Sequence, residues 1–231
     1  MTHDAIRSTF DDWAETGQAD RLEDAHGDVV AQVLEQLNIK PGEKILDLGC
    51  GNGWATRMLA KAAPGTQAIG IDVSPRMIAR ADELHSFTIR ARYDLGTFEE
   101  LDFPDAHFDR AFSMEALYYS PDVERAIAEL FRALKPGGVV DVVLDCHAES
   151  PASERWARLL GVPMVRRSAD EWRAAFEAAG FTSVATQAVV DRRGPGDEAA
   201  FTADEWYESW DERVATHAAG SLWIHAEKPA G

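Results

Sequence analysis

The stretch Lys44-Ile45-Leu46-Asp47-Leu48-Gly49-Cys50-Gly51-Asn52-Gly53-Trp54 constrains this chain more than any other. Ile45, Leu46 and Leu48 form a short apolar run bounded by turn residues, as a buried strand does, and Trp54 to Ala63 continues with apolar residues at helical spacing. Gly49, Gly51 and Gly53 therefore fall at a strand-to-helix corner. Glycine lets the backbone turn tightly there and lets a ligand come close to it. The amides that open the helix form a weakly positive end suited to an anionic or electron-rich group. About 20 residues on, Gln67 to Ile71 reads as a second strand closed by Asp72, where an open α/β sheet places a ribose-binding carboxylate.

The glycine spacing does not fit a dinucleotide fingerprint. That motif needs a small residue for close helix-on-sheet packing where this chain has Trp54. Asp47, within the strand, would repel a pyrophosphate and suits a ligand that carries an ammonium group.

Ile45 to Gly53, Gly70-Ile71-Asp72-Val73-Ser74 and Leu134-Lys135-Pro136-Gly137-Gly138 come in the order and spacing of the class I S-adenosylmethionine-dependent methyltransferases, which residues 40–145 resemble. Within that family the chain is similar to the small-molecule group that includes the ubiquinone and menaquinone biosynthesis enzymes. The resemblance implies an α/β fold, a three-layer Rossmann-like sandwich with a seven-stranded, mostly parallel sheet whose last strand is antiparallel. It implies S-adenosylmethionine as cofactor, with S-adenosylhomocysteine as product. It also places Asp47, Gly49, Cys50, Gly51, Gly53, Asp72, Val73, Met77 and Met114 at the cofactor. Phe10-Asp11-Asp12-Trp13-Ala14 resembles a lid signature of the family, in which Trp13 would cap the cofactor; the tyrosine common three residues later is Gly17 here. Where the family offers an aspartate to adenine, followed by a small residue, this chain has Thr97 and Phe98. The threonine hydroxyl can accept the same bond more weakly and the phenyl ring can stack on the purine, with Asp94 as the alternative acceptor.

The 231 residues suffice for one α/β domain, read as a helical lid (1–38), a cofactor-binding core (39–147), and C-terminal helices with a hairpin (148–231) that carries an insertion at 191–220. Cys50 and Cys146 form neither a disulfide framework nor a metal cluster, so no metal is expected. Forty acidic against 23 basic residues, only five of them lysine, give a net charge of -17, which disfavours nucleic acid and anionic membranes. Such a surface suits a salt-rich interior or a merely acidic enzyme, and both readings stand. No run reaches membrane-spanning length and Met1 to Thr9 lack a signal-peptide core, so a cytoplasmic protein, monomer or homodimer, is expected.

Helices are expected over Asp4 to Glu15, Arg21 to Leu37, Ser74 to Leu84, Pro121 to Leu134, Ser153 to Leu160 and Ser168 to Ala179. Further strands are expected at Phe87 to Ala91, Phe108 to Met114, Val139 to Asp145 after a Lys135 to Gly138 turn, Phe181 to Val190 and Ser221 to Glu227.

Ligands of open α/β sheets bind at the strands' carboxyl ends. Glu115, Tyr118 and Tyr119 after the fourth strand, and His147 after the fifth, are therefore the candidates for orienting or deprotonating an acceptor. Three functions are open: a small-molecule methyltransferase, an NAD-type oxidoreductase, or a protein that holds the cofactor without catalysis. The aromatics Phe10, Trp13, Tyr118, Tyr119 and those of the insertion, Phe201, Trp206, Tyr207 and Trp210, favour an aromatic or quinone-like acceptor. A polar amine or acid acceptor steered by Arg192 and Arg193 is the alternative.

Overall fold

The structure, a computed structural model, describes residues 3–231; Met1 and Thr2 of the expected lid lie outside the described residues. Seven strands, β1 (Lys44–Leu48), β2 (Gln67–Asp72), β3 (Ala91–Leu95), β4 (Phe108–Met114), β5 (Leu134–Leu144), β6 (Thr182–Val189) and β7 (Ser221–Glu227), form one sheet ordered β3-β2-β1-β4-β5-β7-β6. The first five are parallel, and β7 runs antiparallel to both of its neighbours. The Rossmann-like sheet implied by the resemblance is the one observed.

Helices cover both faces because the central strands are apolar on both. Along β1, Ile45 faces α2 (Leu22–Gln36) and α3 (Trp54–Lys61), where it joins Val30, Val33 and Leu59. Leu46 and Leu48 face the opposite layer, with Ile127 and Leu130 of α5 (Val123–Ala133) and Trp172 and Phe176 of α7 (Ala169–Ala178). Ile45, Leu46 and Leu48 are fully buried, each contributing roughly 1.5–3 kcal/mol. Capping follows local chemistry. Ser74 accepts the Met77 amide to open α4 (Pro75–Glu83), and Ser168 with Glu171 forms a capping box on α7.

Two expected boundaries move. The third strand is Ala91–Leu95 rather than Phe87 to Ala91, and Phe87 is wholly exposed in the preceding loop. Only Tyr93 of this edge strand is buried, so its apolar pattern is weak, and pairing with β2 (Ala68 with Ala91 through Asp72 with Leu95) sets the register instead. The fifth strand begins at Leu134, which pairs with Phe108, so Lys135 to Gly138 is an irregular stretch of strand with Gly137 at φ 77°. Between 192 and 220 the chain holds a short 3-10 turn, Glu198–Ala200, and α8 (Trp210–Ala219). Ahead of the sheet lie α1 (His3–Thr16) and α2, and α6 (Trp156–Leu160) follows β5. No helix among the described residues is long and apolar enough to cross a membrane.

Candidate cofactor and acceptor cavity

A cavity of about 280 Å³ opens where β1, β2, β4 and β5 end. Its first half is formed by Gly49, Cys50 and Gly51 in the turn, Asp72 and Val73 after β2, Met77 on α4, and Thr97 and Phe98 after β3. The three turn glycines all have positive φ, for different reasons. A Cβ on Gly49 would lie 2.2 Å from Ala116 Cβ, and one on Gly53 would lie 2.4 Å from the Tyr93 ring. Those two let the chain pack on itself, and Gly53 does not line the cavity. A Cβ on Gly51 would meet only Leu22 and Met77, at 3.9 and 4.0 Å, both of them cavity residues. Gly51 therefore leaves bare backbone facing the ligand space.

Asp72 accepts the Gly51 amide on Oδ2 and the Ser74 amide on Oδ1, each at 2.9 Å. Burial pushes its carboxyl up to about 6 in spite of these two bonds. Asp47 does not line the cavity. It is buried beneath the turn, where Thr56 Oγ1 donates to it at 2.6 Å, and burial raises it to about 7. Its strand position points it into the helix α3 interface, so direct contact with an ammonium group is corrected to a role under the turn. Asp94 pairs with Arg92 at 3.0 Å and lies outside this cavity, leaving Thr97 and Phe98 as the residues that line it.

The helices α1 and α2 border the cavity. Phe10, Trp13, Leu22 and His26 line it, and Phe10 packs edge-on against both Trp13 (5.3 Å) and Tyr119 (5.1 Å). Asn52 donates to the Ala19 carbonyl at 3.0 Å, and Arg80 pairs with Asp20 at 2.9 Å, fixing the turn between α1 and α2 to the core.

Beyond Met114, which lines the cavity at the end of β4, the second half is built from Glu115, Tyr118, Tyr119, Asp145, Trp156, Leu160, Trp206 and Tyr207. Glu115 has φ 52°, a conformation rare outside glycine and often held at functional sites. Both of its oxygens are engaged: Tyr118 donates to Oε2 at 2.6 Å and the Asp145 amide donates to Oε1. Burial, then the negative Asp145, pushes Glu115 up to about 8, so it is largely neutral at pH 7. Burial also raises Tyr118 and Tyr119, keeping both phenols protonated.

His147 does not reach this cavity. It is buried beside the Gly220 carbonyl (2.9 Å) and Glu149 (3.0 Å), a bracing position between β5 and β7, so its candidacy as a base is withdrawn. Two histidines line the cavity: His3, whose Nε2 faces Glu99 Oε2 at 3.3 Å, and His26, whose Nδ1 stands 3.4 Å from Asp145 Oδ2 beside the aromatic half. In sequence His26 begins the 26-30-33-37 stripe of α2, a polar residue on an otherwise apolar face, and that was its one signal. Of the insertion aromatics, Trp206 and Tyr207 enter the cavity, while Phe201 and Trp210 pack on each other at 5.7 Å. Trp156 from α6, unmarked in sequence, also lines it. Arg192 is held by Asp28, and Arg193 by Asp191 and the Asp24 and Ala25 carbonyls, so neither is free to steer an acid.

The sheet order, the glycine corner and a cleft bordered by α1 and α2 define a Rossmann-like protein for an adenosine-bearing cofactor. A chain of the solved complex described as that between the Haloferax volcanii Trm112 methyltransferase activator and "the putative methyltransferase" matches with a TM-score of 0.88 at 30% identity, over 95% of this chain and 97% of that one. A profile described as a methyltransferase domain matches residues 45–138. The chain belongs to the class I S-adenosylmethionine-dependent methyltransferases. The 2-methyl-6-phytyl-1,4-hydroquinone methyltransferase of Synechocystis sp. is 31% identical over 74% of this chain and 60% of the relative. The sterol 24-C-methyltransferase of Yarrowia lipolytica is 36% identical over 46% of this chain and 29% of the relative. The chain thus spans less than two thirds of either curated relative.

S-Adenosylmethionine is the family's cofactor, and the residues present fit it. Gly51 leaves a cradle that a Cβ would fill, and Asp72 offers a buried carboxylate for a diol. Cys50, Val73, Met77, Phe98 and Met114 supply the apolar walls.

Proposed function

We propose that this chain transfers a methyl group to a small, partly apolar acceptor of phenol or quinone type. The observation that carries this reading is one continuous cavity, with a glycine and aspartate cradle at one end and Tyr118, Tyr119, Trp156, Trp206 and Tyr207 at the other. The names of the relatives, a hydroquinone and a sterol methyltransferase, support an apolar acceptor.

In this reading Asp72, Gly51, Met77, Thr97 and Phe98 hold the cofactor, and Trp13 caps it. Bound there, the sulfonium supplies an activated methyl group, so the chain's own task is alignment and exclusion of water. Glu115, locked by Tyr118 and the Asp145 amide, presents a neutral carboxyl that orients the acceptor. The lid and insertion aromatics shut water out.

Calorimetric titration with S-adenosylmethionine and with NAD, followed by assay of phenols, quinones, amines and carboxylates for S-adenosylhomocysteine release, tests this. Binding of the sulfonium alone and turnover of the phenolic or quinone class is the expected result. Binding without turnover of any acceptor would favour a regulatory protein, and turnover of carboxylates alone would replace the acceptor class.

The Haloferax complex holds an activator protein, and this chain has a surface that suits one. The β3 edge of the sheet is open, and Leu84, Phe87 and Leu95, all exposed, flank it. An edge of this kind invites pairing. Co-elution with that activator, abolished by Leu95→Lys, is the expected outcome.

A further inference from the structure

The candidate base expected from sequence, His147, is outside the cavity, and Glu115 is neutral with both oxygens occupied. That leaves the proton of a hydroxyl acceptor without an obvious destination. His26 lies at the wall between the aromatic cavity and a more polar pocket beside it; His26, Asp145, Trp156 and Tyr207 line both. Asp145 is itself fixed, with Ser221 Oγ donating to its Oδ1, while Oδ2 faces His26 Nδ1 at 3.4 Å. With Nδ1 turned to the carboxylate, Nε2 is the ring nitrogen left for the acceptor.

Resting on the function proposed above, we infer that His26 is the general base for a hydroxyl acceptor, that Asp145 positions it, and that the lid thereby carries the proton-accepting group to the cavity. The O–H bond of the acceptor breaks and a new N–H bond forms at Nε2, giving an imidazolium beside the Asp145 carboxylate. The freed oxygen pair forms the O–CH3 bond, the carbon–sulfur pair stays on sulfur, and charge balances. The acceptor class narrows to a flat phenol or hydroquinone.

The surroundings suit a histidine that takes up a proton. Burial disfavours its charge, but the hydrogen bond to Asp145 and that carboxylate's charge outweigh this and raise it, with Arg193 opposing. Asp145 is held low because the His26 contact overcomes its burial. Tyr207 and Arg213 from the insertion, and Asp24, Asp191 and His217 in the polar pocket, are the remaining titratable groups facing this wall. Because His26 sits on α2 and Trp13 on α1, the same lid that caps the cofactor would bring the base.

The test uses 4-nitrophenol, whose ionised form has its own absorption band, added to the full chain saturated with S-adenosylhomocysteine. At a pH where the free probe is mostly neutral, the bound probe should show the phenolate band. His26→Asn and His26→Gln should bind the product with unchanged affinity but lose the band. In the unmutated protein the band should fade as pH drops and His26 takes its proton from solvent, and Asp145→Asn should move that midpoint downward because a neutral partner stabilises the imidazolium less. With phenolic acceptors, His26→Asn should lower turnover by roughly 100-fold or more. A phenolate band that survives in both His26 variants, or a protein that binds S-adenosylhomocysteine but never ionises the probe, overturns the inference while the methyltransferase reading stands. Failure of the unmutated chain to bind S-adenosylhomocysteine overturns both.

Discussion

Ser74 Oγ donates a 2.6 Å hydrogen bond to Asp11 Oδ1 and accepts the Met77 amide at 3.0 Å. One hydroxyl therefore caps α4, next to Asp72, and ties the lid to it. The Arg76 amide adds a second bond to Asp11 at 3.2 Å. Lid position and cofactor cradle are mechanically linked through this side chain.

Asp11→Ala should loosen that link. Stability should fall by about 0.5–2 kcal/mol, as for lost caps, while S-adenosylhomocysteine affinity falls further than the unfolding loss accounts for. Calorimetry beside a thermal melt reads both. Equal affinity in the variant would show that the lid does not depend on this tether.

Asp72→Ala should weaken cofactor binding by about 1.5–3 kcal/mol, the range for charge-assisted bonds. The pH dependence has a definite sign. Burial raises the Asp72 carboxyl from 3.8 to about 6, so the folded chain holds a proton that the unfolded chain has lost, and this group's contribution to stability declines as pH rises across that window. Diol binding favours the ionised form, so affinity should strengthen over the same interval. Affinity that does not vary between pH 5 and 7, roughly the span of such titrations, would remove Asp72 from the ribose position.

Gly51→Val and Gly49→Ala should fail differently. The first points into open cavity space and should abolish binding in a protein that still melts cooperatively, at a strain cost of about 1–2 kcal/mol for φ 52°. The second meets Ala116 Cβ at 2.2 Å and should lower the melting temperature outright. Circular-dichroism melts run beside binding assays separate them.

Glu115→Gln should reduce acceptor turnover and leave cofactor affinity intact, as should Tyr118→Phe. Because burial raises Glu115 from 4.5 to about 8, ionising it costs the fold stability as pH climbs through that window. The variant's melting temperature should therefore gain on the parent's as pH rises toward 8. A constant gap would mean that Glu115 is solvated and already charged.

A net charge of -17 predicts a melting temperature that rises with potassium chloride. The Debye length shrinks from about 10 Å at 0.1 M to about 3 Å at 1 M, which screens the self-repulsion. A flat or falling temperature would place the chain among ordinary acidic enzymes.

The sequence by itself determined the frame. Ile45 to Trp54 could only be a buried strand, a glycine corner and a helix, because a run of apolar residues, then positive-φ glycines, then helical periodicity leaves no other local solution. That Asp72 lines the cavity followed from its place after the second strand, and β7 was legible to the residue because its alternation is bounded by Gly220 and Pro229. Only the tertiary structure decided which polar groups share a cavity. Asp47 and His147 carry the right chemistry but turn into packed interfaces, since a side chain's direction is set by strand register and neighbouring helices rather than by its own identity. Likewise β3 took its register from pairing with β2, not from the apolar Phe87 and Ile89 ahead of it. His26 and Asp145 lie 119 residues apart in the chain and meet because α2 folds back across the ends of β4 and β5, a contact that no local pattern encodes.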